Sequence, residues 1–127
     1  MIKLVNSISK EQFIFNTVQE LLDHISNNNY VLVPSVVQGF YAHDYIANTQ
    51  HMIDLTAIIN DIEAVKLLSK QHTAPGAFFV YLRKSNNMEV LKLAYRSILT
   101  TYNEFNRSMV EIFENDVSSD MLHKLKN

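Results

Sequence analysis

Residues 86–115 read NNMEVLKLAYRSILTTYNEFNRSMVEIFEN, the most regular apolar pattern in the chain. Apolar side chains recur there at alternating spacings of three and four residues, which places them on one face of a helix. At about 1.5 Å per residue the pattern predicts one continuous helix of roughly 45 Å. A stripe of this length has to be buried, so we expect other helices to pack along it. Its members are Met88, Leu91, Tyr95, Ile98, Tyr102, Phe105, Met109 and Ile112.

A second apolar stripe, formed by Leu99, Val110 and Phe113, lies beside the first. Large exposed apolar patches are rare on monomers, so a helix that is apolar on two sides indicates a contact with another protein. We expect a protein partner, and a homodimer in particular. Packing inside one subunit is the alternative. The predicted interface consists of Tyr95, Arg96, Leu99, Tyr102, Met109 and Phe113, with the apolar side chains as anchors and Arg96 orienting the partner.

The composition is typical of one small domain. The chain has 127 residues, of which 47% are hydrophobic, enough for a single core. Its formal net charge is −2, so it lacks the basic excess of proteins that bind DNA, RNA or anionic membranes. We therefore expect residues 1–127 to form a single domain that does not bind a membrane.

Cysteine usage indicates the compartment. The chain contains no cysteine, which excludes disulfides, thiolate metal sites and a cysteine nucleophile, and agrees with a reducing environment. We find no signal peptide at the start and no apolar run of the ~18 residues that a membrane span needs. These features predict a cytoplasmic protein. Frequent asparagine and isoleucine are typical of an AT-rich coding source such as a low-GC bacterium or a phage.

The remaining chain predicts a mixture of strands and helices. Residues 1–34 have a β/α/β pattern, in which Thr17 and Glu20 form a capping box that begins a helix. Residues 35–71 are predicted helical, with the clearest helix over 53–70, and residues 77–84 favour a strand. A short terminal helix is predicted over 118–126. The expected fold class is α+β and predominantly α-helical, a small sheet of short strands covered by helices, with the long C-terminal helix beside it.

One group of residues has the chemistry of a metal site. The dipeptide His43-Asp44, with His24 before it and Asp54 after it, is similar to the ligand order of the HD-type metal phosphohydrolases. Imidazole and carboxylate ligands suit a divalent metal that activates water for attack on a phosphoester. The resemblance implies a metal-dependent hydrolase, whereas the alternative for His43 and Asp44 is an ordinary pair on a helix surface.

Other chemistry finds little support. With only two glycines, the chain lacks the glycine-rich turn of nucleotide-binding motifs, and no hydroxyl sits in a pattern that activates a nucleophile. Lys92 and Arg96 form a basic ridge, but acidic residues on the same helix disfavour a nucleic-acid interface. No cofactor is expected. The sequence thus favours a small, non-enzymatic interaction or regulatory protein, with a metal-dependent hydrolase and a nucleic-acid-associated regulator as alternatives.

Overall fold

The computed structural model describes residues 2–6, 8–37, 40–46, 48–72, 75–100 and 107–127. It confirms a small α+β fold that is mostly helical. Single turns of 3-10 helix cover Leu55–Ala57 and Leu82–Lys84. In chain order the strands and α-helices of this part are β1 (Ile2–Asn6), β2 (Gln12–Phe15), α1 (Val18–Asn27), β3 (Leu32–Val37), β4 (Phe40–Ile46), β5 (His51–Ile53), α2 (Ile62–Gln71), α3 (Pro75–Tyr81), α4 (Met88–Thr100), α5 (Arg107–Asp116) and α6 (Ser119–Lys126).

The strands form one antiparallel sheet in the order β2-β1-β5-β4-β3. Side chains alternate between its two faces, so Ile2 and Leu4 are buried while Lys3 between them is exposed. Leu4 lies opposite Ile53, which is buried on the same face. Helix α1 packs against β2 and α3 packs against β4. Helices therefore cover one face of the sheet, and the core lies between them.

Capping side chains explain where several helices begin. The Thr17 hydroxyl accepts a hydrogen bond from Glu20 N at 3.2 Å, which confirms the predicted start of α1. Asp61 accepts from the backbone N–H groups of residues 63 and 64 and so begins α2. Ser118 accepts from Met121 N at 3.2 Å, and this cap confirms the predicted terminal helix.

The prediction of helix throughout 35–71 is wrong. The strand expected to end at Pro34 continues to Val37, because β3 is an edge strand and an edge strand tolerates a proline. Residues 40–46 then form β4, whose backbone pairs with β3 on one side and β5 on the other. Helix α2 begins only at Ile62, and it ends at Gln71 as predicted. Aromatic and β-branched residues in 35–53 satisfy the strand period as well as the helical one.

The predicted strand over 77–84 is also wrong. This segment forms α3 and the 3-10 turn that follows it. Pro75 is the first residue of α3, a position where proline fits because its fixed φ is already helical. Phe78, Tyr81 and Leu82 are buried at spacings of three and four residues, which is the helical period. Because residues 77–82 are all apolar, the helical spacing of the buried ones cannot be recognised from the sequence alone.

The single helix predicted over 86–115 is wrong as well, since α4 and α5 are separate helices that pack against each other. In one continuous helix, Tyr95 and Glu114 would lie about 28 Å apart along the axis. The Tyr95 hydroxyl instead donates to Glu114 Oε1 at 2.6 Å. Leu91, Tyr95 and Ile98 of the predicted stripe are buried on α4, and Met109 and Ile112 are half-buried on α5, whereas Tyr102 and Phe105 lie outside the described residues.

A search of the described ranges for a membrane-crossing helix is negative: none there combines the necessary length and apolar character.

Candidate functional site

A groove between α2 and α4, with a volume of about 350 Å³, lies next to the predicted interface. Ile62 of α2 and Leu93 of α4 are half-buried and contribute apolar surface to it. Three cations also line it: Lys66 comes from α2, and Lys92 and Arg96 come from α4. We call this surface the α2–α4 groove. Its other lining residues are Glu89, Ser97 and Thr100.

The charges of the groove are unevenly compensated. Lys66 Nζ lies 3.8 Å from Glu63 Oε1, and both side chains of this ion pair are exposed to solvent. Among the described residues, no carboxylate lies within ion-pair distance of Lys92 or Arg96. These two cations are one helical turn apart, and like charges at that spacing repel. The groove is therefore locally basic on a chain whose net charge is −2.

Leu99 is exposed on α4 beside this groove. Its exposed fraction is 43%, and in the described part of the chain it is the one large apolar side chain exposed on a helix. At about 100° per residue it projects roughly 60° away from Arg96. The outer face of α4, which we define as Lys92, Arg96 and Leu99, thus joins two cations to one apolar side chain.

Two other predicted interface residues hold α4 against α5. The rings of Tyr95 and Phe113 stack with their centroids 5.5 Å apart, and both side chains are buried. Burial raises the pKa of Tyr95 to about 12, and the hydrogen bond to the Glu114 carboxylate makes a smaller contribution in the same direction. Tyr95 and Phe113 are thus part of the core and present no surface to a partner.

The predicted interface residues are consequently divided between the core and the surface. Arg96 and Leu99 are exposed, while Met109 is half-buried and packs near Gly76 of α3. Tyr102 lies outside the described residues. Only the tertiary fold brings Lys66 to the groove, so sequence reasoning missed this residue; its place on an exposed face of α2 carried no signal.

The structure does not bring together the candidate metal ligands whose side chains it describes, which are His24, Asp44 and Asp54. His24 lies among the rings of Phe13, Phe15 and Tyr30, with centroids 5.2 to 5.8 Å away. Asp54 caps the 3-10 turn by accepting from Thr56 N at 3.0 Å. The side chain of His43 lies outside what the structure describes. Within the described ranges, no three His, Cys, Asp or Glu side chains are grouped so that they could hold a metal ion.

Asp44, the fourth candidate, has a different partner. Its carboxylate is fully buried on β4 and forms a hydrogen bond with Nε2 of His72, which follows directly after α2. The His72 ring stacks on Phe78 at a centroid distance of 5.5 Å. The pKa of Asp44 is raised above its ordinary value, because the effect of burial is larger than the lowering by the hydrogen bond and the charge interaction with His72. Sequence reasoning missed His72, because a residue 28 positions away gives no local signal.

The Asp44–His72 pair does not form a catalytic centre by itself. Both side chains are fully excluded from solvent, so a substrate cannot reach the imidazole in this conformation. Such a buried pair requires good geometry to offset the loss of hydration, and its role here is to join β4 to the end of α2.

A second cavity, of about 240 Å³, lies between the β1–β2 hairpin, α1 and β5. His24 and His51 both line it, and the ring of Phe13 is 5.2 Å from that of His51. His51 is buried, and its Nε2 has no hydrogen-bond partner in the part of the chain described here. The cavity has aromatic walls and two imidazoles, and no metal-binding cluster is found there among the described residues.

Comparisons with known proteins add no relative: no family model, curated protein or solved structure matches this chain.

Proposed function

We propose that this chain is a small, non-enzymatic interaction or regulatory protein that binds another protein through the outer face of α4. The observation that carries the proposal is Leu99, an apolar side chain that is exposed on α4 beside the basic α2–α4 groove. Arginine is enriched at protein interfaces, and an exposed apolar side chain beside it gains free energy when a partner removes it from water. The cytoplasm is its proposed compartment, in agreement with the absence of cysteine.

We further propose a homodimer whose contact centres on Leu99 and leaves Lys92 and Arg96 of each copy toward solvent. The stacked rings of Tyr95 and Phe113 pack α4 against α5, and an α-helix packed in this way presents its outer face with a defined backbone. A rigid surface loses little conformational entropy on binding, which favours association. Two Leu99 side chains related by a two-fold axis would shield each other from water.

Light scattering coupled to size-exclusion chromatography, at several protein concentrations, tests the dimer. We expect a mass approaching twice 14.7 kDa at high concentration. Leu99→Asp is expected to shift the protein toward the monomer, because it places charges in the shared apolar contact. Ile8→Asp is the matched control, since Ile8 is 81% exposed and lies in the turn of the β1–β2 hairpin.

The result can contradict the proposal in two ways. A strict monomer at every concentration would exclude the homodimer. A dimer that Leu99→Asp and Ile8→Asp weaken equally would place the interface elsewhere. Circular dichroism of both variants shows whether the substitutions leave the fold intact.

A further inference from the structure

We propose that the α2–α4 groove binds an acidic amphipathic helix of another protein, an inference that rests on the proposed role of α4 as a protein-binding element. The groove has the two properties that such a helix requires. It offers an apolar strip, and it carries cations on both flanking helices. Helix-in-groove binding uses these features, with apolar anchors in the groove and charges along its sides.

Charge complementarity selects an acidic partner. Lys92 and Arg96 repel each other across one turn of α4, and no described carboxylate pairs with either of them. A ligand carboxylate placed between them would relieve this repulsion and form charge-assisted hydrogen bonds with Arg96. A basic ligand would increase the repulsion. Glu89, at the N-terminal end of the groove, is the one carboxylate among its lining residues.

The apolar part of the groove selects a helix over a free anion. Ile62 and Leu93 remain half-buried, so a partner with apolar side chains would remove more of their surface from water. The lining residues of α4 extend from Glu89 to Thr100, a rise of about 16 Å, or three helical turns. A partner helix with apolar residues at spacings of three and four would present two or three side chains over that length.

A second copy of this chain fits the groove less well. Its α1 has an acidic outer face with Glu20 and Asp23, but the apolar face of α1 is already buried in its own core. The same is true of α5, where Glu111 is exposed whereas Val110 and Phe113 are buried. These helices could offer charges to the groove but no apolar side chains for its floor. A different protein with a free amphipathic helix supplies both.

Fluorescence anisotropy with synthetic peptides tests the inference on the full chain. One labelled peptide carries leucines at helical spacing with flanking glutamates, and a second has the glutamates replaced by lysines. The variant Lys92→Glu/Arg96→Glu reverses the charge of the groove. The matched control Lys10→Glu/Lys124→Glu makes the same change at two exposed residues that do not line the groove. Circular dichroism and thermal unfolding confirm that each variant is folded.

We expect the wild-type chain to bind the acidic peptide more tightly than the basic one. Charge reversal in the groove should lower the affinity for the acidic peptide by about tenfold or more and raise the affinity for the basic peptide. The control variant should change either affinity by less than about twofold. Equal binding of both peptides to the wild type would overturn the inference. The inference would also be overturned if the acidic peptide bound the Lys92→Glu/Arg96→Glu variant as tightly as the wild type.

Two further outcomes separate this inference from neighbouring proposals. Binding of a single-stranded DNA oligonucleotide that depends on Lys92 and Arg96, with no peptide binding, would overturn it in favour of nucleic acid. A dimer that Leu99→Asp dissociates, together with no peptide binding, would retain the homodimer and reject the acidic partner. Peptide binding by a strict monomer would support the groove and reject the homodimer.

Discussion

At the residue scale, two polar contacts, one part-buried and one buried, join elements that are distant in the sequence. The phenol of Tyr95 connects α4 to Glu114 on α5, and Asp44 connects β4 to His72 at the end of α2. The Asp44–His72 contact lies in a low-dielectric environment, where a hydrogen bond is stronger than in water, whereas the Tyr95–Glu114 contact is only part-buried. Both contacts can be tested by substitutions that change few atoms.

Tyr95→Phe removes the hydroxyl and preserves the ring that stacks on Phe113. We expect the free energy of unfolding to fall by about 1 kcal/mol, a typical value for one such hydrogen bond. Because the pKa of Tyr95 is about 12 in the folded chain and 10.0 ordinarily, the unfolded chain ionises first as pH rises. Stability from this group is therefore complete below pH 10 and is lost toward pH 12. Urea unfolding across this interval should show the difference between wild type and variant shrinking; a constant difference would contradict the assignment.

Asp44→Ala removes a buried carboxylate from beside His72. We expect a loss of about 3 kcal/mol in the free energy of unfolding, as for other broken buried pairs. Asp44→Asn preserves the size of the side chain and its ability to form a hydrogen bond with the imidazole, so it should cost clearly less. Urea unfolding of both variants at neutral pH measures this order. Equal losses would show that the hydrogen bond contributes little.

At the element scale, local capping determines helix ends, while burial determines which type of element forms. The caps at Thr17 and Ser118 were predicted from the sequence, since each depends on residues three positions apart, whereas the cap at Asp61 was missed because the helix was predicted to begin at 53. The type of element was not readable for 40–46 or 77–84. There, pairing with neighbouring strands and contact with the core outweigh local preference.

Asp61→Ala tests the cap that begins α2. Its carboxylate accepts from Glu63 N at 3.0 Å and from Ala64 N at 3.2 Å. Loss of these bonds should lower the free energy of unfolding by about 1 kcal/mol. Asp61→Asn is the matched control, because its amide oxygen can accept the same bonds. Chemical denaturation followed by circular dichroism measures both; an alanine variant as stable as wild type would show that water replaces the cap.

At the scale of the whole molecule, the packing of α5 on α4 gives the C-terminal third a different arrangement from the single helix that the sequence predicted. The described members of the apolar stripe that predicted one long helix are divided between α4 and α5, and Arg96 and Leu99 of the outer face of α4 are exposed. This arrangement moves Tyr95 and Phe113 into the core. It leaves Arg96 and Leu99 as the exposed pair on which the proposed function depends.

A distance measurement tests this packing directly. The chain has no cysteine, so Arg96→Cys/Asn115→Cys introduces two unique sites for spin labels next to Tyr95 and Glu114. We expect an interspin distance well below the roughly 28 Å that one continuous helix would give. Double electron–electron resonance measures it. A distribution centred at or above that separation would restore the single helix.

By itself, the sequence determined the features that depend on near neighbours. The α+β class, the starts of α1 and α6 and the end of α2 all follow from capping residues and apolar spacing within a few positions. The tertiary structure alone decided that 86–115 is two packed helices, that Asp44 meets His72, and that Lys66 joins Lys92 and Arg96 in one groove. Local spacing cannot contain such information, because these contacts join residues many turns or strands apart and exist only when the core brings them together.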